Sequence, residues 1–207
     1  MSETKTKIDL DPKYIIRLTV TLLVTCVIVA GLLGGVNAIT ADKIAAINWE
    51  KTVAAMKAVV AEPDATEFSD ALEKTPEMEA AALAAGGTLN SVYEVQVGGA
   101  PAGYAIKVIA SGSQGNIEMM VGVDAEGTVT GVSIVKHSET SGIGSKVMGN
   151  EPLKSGVGVL DQFQGKNAAD GTLAVGTNVD AISGATVSSR GVTAGVNAAL
   201  AVAGVLG

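Results

Sequence analysis

The sequence predicts an α+β domain, an antiparallel sheet flanked by helices, that follows a single N-terminal transmembrane helix. Three observations predict it. Leu18–Val36 is a run of 19 residues without a charge. From Leu89 onward, apolar and polar residues alternate in short runs broken by glycine-bearing turns, the period of half-buried strands. After Ser189 the chain closes on small residues at helical spacing.

In chain order, residues 1–13 are polar, with Lys5, Lys7 and Lys13 among Glu3, Asp9 and Asp11, and are read as a disordered or interfacial cytoplasmic tail. The uncharged run reaches about 28 Å as a helix, enough for a bilayer core, so residues 14–38 are read as one transmembrane helix. A cleaved signal peptide is the competing reading. The apolar part exceeds the usual h-region of about 7–15 residues, and Val36-Asn-Ala38 is only a partial cleavage pattern. Lys5, Lys7, Lys13 and Arg17 precede the run, while only Lys43 and Lys51 follow it closely, which orients the N-terminus to the cytoplasm and the rest outside. The expected location is the cell (inner) membrane, single-pass.

Residues 39–87 are read as a helical, acidic connecting region. A helix over 40–61 has Thr40 as its cap and Trp49, Val53, Met56 and Val60 on one face, and Pro63 ends it. Glu62, Asp64, Glu67, Asp70, Glu73, Glu77 and Glu79 then form a charge run, read as a solvated face. Within it, Thr75-Pro76 is a helix start and Gly86-Gly87 a stop.

Residues 88–207 are read as the functional domain. Val92–Val97 and Tyr104–Ala110, around a turn at Gly98–Gly103, make one hairpin; Ile117–Asp124 and Val129–Val135, around Glu126-Gly127, make a second. Residues 147–179 hold the apolar Leu153, Val157, Val159, Leu160 and Phe163, then a polar loop at Gln164–Gly171. Thr172–Val175 and Val179-Asp180 are expected as short strands leading into the turn before the last helix.

A formal net charge of −7 and a pI near 4.7 exclude a nucleic-acid partner, which needs clustered Lys and Arg. One cysteine, Cys26, and one histidine, His137, leave no metal-ligand spacing.

Two stretches carry candidate chemistry. Asp180-Ala-Ile-Ser-Gly-Ala-Thr-Val-Ser-Ser189 sets the Thr186 hydroxyl in a small-residue turn at a helix start, where free amides and the helix dipole favour an anion. The same pattern also describes a plain N-cap. Lys136-His-Ser-Glu-Thr-Ser-Gly-Ile-Gly-Ser-Lys146 gathers a histidine, a carboxylate and a Gly-x-Gly pair on a loop; His137 is as consistent with a hydrogen-bonded loop residue as with a catalytic one.

Ser183-Gly-Ala-Thr186, preceded by Asp180 and followed by Ser188 and Ser189, resembles the flavinylation motif of the FMN-binding domain family. The 137–144 stretch resembles that family's second signature, commonly His-x-Glu-Thr-Pro-Gly-Leu-Gly. Here Ser141 stands at the proline and Ile143 at the leucine; the first removes a stiffening ring, the second keeps an apolar contact. The resemblance implies FMN joined through its phosphate to Thr186, installed from FAD by a Mg-dependent flavin transferase that recognises Asp180. It further implies Ser183, Gly184, Ala185, Val187, Ser188, Ser189 and Arg190 around the phosphate. Around the flavin it places His137, Glu139, Thr140, Gly142, Ile143 and Gly144, with Lys146 as a further neighbour. No catalytic residue beyond the cofactor site and no metal is implied.

The layout, one anchor followed by both signatures, resembles the covalent-flavin subunits of Rnf-type ion-translocating electron-transport complexes. The corresponding subunit of the sodium-translocating NADH:quinone reductase is the close alternative. Expected partners are the other membrane and peripheral subunits, the transferase during maturation, and membrane lipid. Two readings from other classes stay open: a free-standing flavin reductase, and a flavin-free structural subunit.

Overall fold

The structure, a computed structural model, describes residues 11–64 and 66–207. The cytoplasmic tail read over residues 1–13 lies outside the described residues up to position 10. The chain divides into two compact units, Met1–Trp49 and Glu50–Gly207.

In the first unit the described residues belong almost entirely to helix α1, Pro12–Ala58. Its apolar side chains from Tyr14 to Val36 are exposed, and its apolar window is long enough to cross a membrane. The hydroxyls within that run are satisfied locally: Thr19 and Thr21 donate to the carbonyls of Ile15 and Arg17 at 2.9 and 2.8 Å, and Thr25 to that of Leu22 at 2.8 Å. Back-bonding of this kind satisfies a hydroxyl without water, as a membrane-spanning helix requires. Thr40 corrects an expectation. It caps nothing, because α1 runs through it without a break; its Oγ1 instead donates back to Val36 O at 2.8 Å.

The second unit is an antiparallel five-stranded meander in the order β1-β2-β3-β4-β5: β1 Thr66–Phe68, β2 Gly87–Val97, β3 Ala100–Ser111, β4 Asn116–Asp124 and β5 Val129–Lys136. The alternation in β3 and β4 sorts side chains to two faces. Ile106, Val108, Ile117, Met119 and Val121 enter the main core with Met78 and Ala82 of α2, Pro76–Ala84, and Val192, Val196 and Ala199 of α4, Thr186–Leu206. On the other face Tyr93, Val95, Ala105 and Met120 pack against Ala55, Met56 and Val59. Covering both faces is why β4 is buried nearly throughout.

Of the apolar stripe read on residues 49–60, Met56 is buried whereas Trp49 is exposed. The chain after α1 approaches the sheet where Gly122 and Gly131 pair across β4 and β5. A Cβ on Gly131 would meet Val59 Cα at 3.1 Å, and Thr130 Oγ1 donates to Val59 O at 2.5 Å. Beside this slot the Lys107 ammonium pairs with Glu118 at 3.4 Å and reaches the Thr52 hydroxyl at 3.5 Å.

Other expectations change. β1 lies inside the acidic run, where three residues pair with Val95–Val97. The turn read over Gly98–Gly103 is only Gly98-Gly99, with φ of 59° and 81°, the positive values that a two-residue hairpin turn demands. Helix α2 starts as expected, with Met78 N donating to Thr75 Oγ1 at 3.3 Å. Between the signatures Phe163 is buried, but Val157 is exposed. The Gln164–Gly171 loop is pinned to β5: Val129 N donates to Lys166 O at 2.8 Å, and Gly165 N to Val129 O at 2.9 Å. The expected strands at 172–180 reduce to one bridge, Val175 with Val179, so a loop, not a strand, enters α4.

Two glycines on α4 separate packing from helix propensity. A Cβ on Gly191 would meet Ser111 O, a backbone atom, at 2.5 Å; one on Gly195 would meet Met119 Sδ at 2.5 Å. Alanine favours a helix over glycine by about 1 kcal/mol, and overpacking against fixed backbone costs about 1–3 kcal/mol. Gly191→Ala should therefore lower the melting temperature in circular dichroism by a few degrees, and Gly195→Ala should leave it level or raised, because the thioether can turn aside. Equal losses in both variants would contradict this packing.

Candidate functional site

The site forms where the loop after β5 meets the start of α4. Gly184, at φ +84°, turns the chain, and Ala185 N donates to Ile182 O at 2.9 Å to close the turn. Helix α4 then begins at Thr186 with Ala185 as its N-cap and no side-chain cap bond. The cap reading of this serine- and threonine-rich turn therefore fails.

The hydroxyls have separate fates. Ser189 Oγ donates to Ala185 O at 3.1 Å, and the buried Ser188 Oγ donates to Glu139 Oε2. Thr186 Oγ1 has no hydrogen-bond partner among the described residues, and the residue is half-buried. Ser189 N donates to Ala185 O at 3.0 Å, leaving the amides of Thr186, Val187 and Ser188 without acceptors among the described residues. Three free donors at the positive end of a 21-residue helix make an anion site beside that hydroxyl.

Opposite, the loop is folded on itself. Glu139 N donates to His137 Nδ1 at 3.2 Å, Gly142 N to Ser145 Oγ at 2.8 Å, and Ser145 N to Thr140 O at 3.2 Å. Glu139 is 8% exposed. Its Oε1 accepts from the amides of Ser113 at 2.8 Å and Gln114 at 3.1 Å. Burial pushes its carboxyl up, but the Ser188 hydroxyl, the Gln114 and Ser113 amides and the charge of His137 outweigh it and hold the group below its ordinary value. Glycine makes room for the carboxylate: a Cβ on Gly144 would meet Oε2 at 2.5 Å and Ser188 Oγ at 2.9 Å.

The two segments enclose a cleft of about 160 Å³ lined by Ser113, Glu139, Thr140, Ile143, Gly144 and Gly184–Ser188. It is too small to enclose a ligand of ordinary size, for which pockets of about 300–1,000 Å³ are usual. It has room for a group the size of a phosphate beside Thr186. Ile143 and Val187, each 53% exposed, are the exposed apolar part of its lining.

Of the sequence-derived residues, the structure brings Glu139, Thr140, Ile143, Gly144, Gly184, Ala185, Thr186, Val187 and Ser188 to one cleft. Ser183 and Arg190 are exposed next to it, and Gly142 turns the loop at φ +78°. Ser189 is turned into the protein. His137 lines a separate cavity with Lys51, Lys136 and Met148, and Lys146 sits 4.0 Å from Glu151. The Asp180 side chain is exposed, at the far end of the turn. Ser113 and Gln114 were not legible as site residues: they act through backbone amides, and the glycines flanking their turn, Gly112 and Gly115, were the one available signal.

Residues 112–201 match the model of the FMN-binding domain family. The chain is 33% identical over 210 residues to the G subunit of the Na(+)-translocating ferredoxin:NAD(+) oxidoreductase complex of Acetobacterium woodii, covering 97% of each. It is 30% identical over 193 residues to the G subunit of an ion-translocating oxidoreductase complex of Methanosarcina acetivorans, covering 92% of this chain and 95% of that one. A protein of the same description from Aliivibrio fischeri is 38% identical over 116 residues, 53% of each chain.

The Glu139 clamp has a pH signature. Its folded value lies below the unfolded carboxylate value of about 4.3, so its stabilisation is fully present above that value and lost as pH falls through the folded value. In urea denaturation, wild type should exceed Glu139→Gln by about 1–3 kcal/mol at pH 7, with the gap closing below about pH 4.3. A gap that widens on acidification would contradict the assignment.

Proposed function

Because the chain belongs to the family of G subunits of ion-translocating oxidoreductase complexes, with its FMN-binding domain, we propose that Thr186 carries FMN covalently and that the protein relays electrons within such a complex. The carrying observation is the Thr186 hydroxyl: half-buried, without an intramolecular partner among the described residues, and flanked by three free helix-terminal amides. Relatedness across almost the whole chain favours the Rnf-type complex over the sodium-translocating quinone reductase.

An unactivated threonine hydroxyl is a weak nucleophile, so attachment falls to a flavin transferase. Thr186 Oγ1 forms the new bond to the FMN-side phosphorus of FAD and gives up its proton, and the bond from that phosphorus to AMP breaks. The product keeps one negative charge on the phosphodiester. The amides of Thr186, Val187 and Ser188 donate to it and the helix dipole favours it, by about 0.3–1 kcal/mol where exposed. Arg190, one turn further on, adds an exposed positive charge.

Bound flavin supplies the one-electron chemistry; the chain's residues orient and tune it. Ile143 and Val187, exposed at the cleft, would cover part of the ring and exclude water from it. The Glu139 carboxylate, its oxygens taken up by Ser188 and by the Ser113 and Gln114 amides, would disfavour the negative charge that reduction adds to the ring and so lower its potential. Acting through these contacts, the protein passes electrons between cofactors of neighbouring subunits. Helix α1 anchors it as a single span, its N-terminus cytoplasmic and the FMN domain outside, on the strength of Lys5, Lys7, Lys13 and Arg17 before the uncharged run against Lys43 and Lys51 after it.

In a denaturing gel of membranes that contain the transferase, the wild-type band should fluoresce under ultraviolet light and Thr186→Val should be dark at equal protein. Equal fluorescence in the variant would remove Thr186 as the attachment point.

A further inference from the structure

The turn that presents Thr186 packs Ile182 against the main core and is hydrogen-bonded to the rest of the domain by one side chain. Gln162 lies in a 3-10 turn, Asp161–Phe163. Its Oε1 accepts from Asp180 N at 2.8 Å, and its Nε2 donates to Asp180 O at 3.0 Å and to Val159 O at 2.8 Å. The amide thus holds both main-chain groups of Asp180, as a neighbouring strand would. Among the described residues it is the one hydrogen-bonded link from positions 180–184 to another segment; the remaining bond there, Ala185 N to Ile182 O, is internal to the turn. The Asp180 carboxylate, in contrast, is exposed and has no hydrogen-bond or ion-pair partner among the described residues.

Gln162 is itself well supported. Phe163 beside it is 1% exposed. Gln162 N donates to Gly158 O at 3.1 Å, and Asn150 Oδ1 accepts from Leu160 N at 2.7 Å and Asp161 N at 3.4 Å. A fixed backbone beneath a free carboxylate suits a determinant read by another protein, since only the side chain's own rotamer freedom remains to be lost on docking.

We propose that Gln162 is a positioning residue for flavin attachment: by clamping the Asp180 main chain it presents the exposed carboxylate to the transferase at a set distance from Thr186. This rests on the covalent-FMN reading above. Asn197 of α4 provides the comparison. It makes the same two-ended clamp on Leu173, accepting from Leu173 N at 3.0 Å and donating to Leu173 O at 2.8 Å, but it does not hold the turn. Loss of either clamp should cost similar stability; only loss of Gln162 should disturb recognition.

The test uses the full-length chain produced without the transferase, then incubated in detergent with purified transferase, FAD and Mg²⁺ while its concentration is varied. Gln162→Ala should raise KM for the protein about tenfold with kcat nearly unchanged, as expected for loss of two hydrogen bonds that orient the docking group. Gln162→Met, which keeps the side chain's length and loses the hydrogen bonds without adding charge, should raise KM as the alanine variant does and guards against misfolding of that variant. Asn197→Ala should lower the melting temperature and leave KM alone. Adding Gln162→Ala to Asp180→Ala should raise KM no further, because the two act as one unit.

An unchanged KM in a folded Gln162→Ala protein, or an equal rise in Asn197→Ala, would overturn the inference while leaving covalent attachment intact. A wild-type protein that takes up no flavin would overturn the covalent reading and this inference with it.

Discussion

The Glu139 carboxylate is the contact on which the site's shape depends. One oxygen accepts from Ser188 at the start of α4, the other from two amides of the β3–β4 turn, so one buried charge joins three segments far apart in sequence. A lone carboxylate taken out of water is costly unless its lone pairs are filled. Here they are filled by donors that the fold must bring together, so the charge stabilises only the arrangement in which the two signature loops face each other. The same bond occupies Ser188, which leaves Thr186 as the free hydroxyl at the helix start.

The rest of the fold serves that meeting. A sheet covered on both faces gives a stiff base for the β3–β4 turn and for the loop after β5. Helix α4 can lie close to the strands because glycines and alanines interrupt the valines of its buried face: Gly191 sits against Ser111 O, one residue before the turn whose amides hold Glu139. Such rigidity would serve the proposed role in electron transfer, in which the protein fixes distance and polarity while the cofactor does the chemistry.

Much of this was legible in sequence, for physical reasons. The strands β2–β5 announce themselves because side chains alternate between an apolar face and another surface, and α2 because Thr75-Pro76 is a capped start. The two signatures carry the family resemblance. What escaped the sequence was non-local or backbone-borne. β1 is three residues inside an acidic run, recognisable only through its partner strand. Thr40 has the chemistry of a cap, but a hydroxyl can equally bond back within a continuous helix. Ser113 and Gln114 contribute amides, which no side-chain pattern reveals, and Gln162 sits in a segment whose chemistry appears only when Asp180 is placed beside it.

An ionised carboxylate, a free hydroxyl, a helix terminus and two exposed aliphatic side chains converge on a cleft too small for a whole cofactor, the place proposed above for its attachment. The most direct measurement is mass spectrometry of the tryptic peptide Asn167–Arg190, prepared from the complex in its native membrane. Covalent FMN at Thr186 adds the mass of FMN less one water, placed by fragmentation on that residue. An unmodified peptide, from a preparation that retains its oxidoreductase activity, would contradict it.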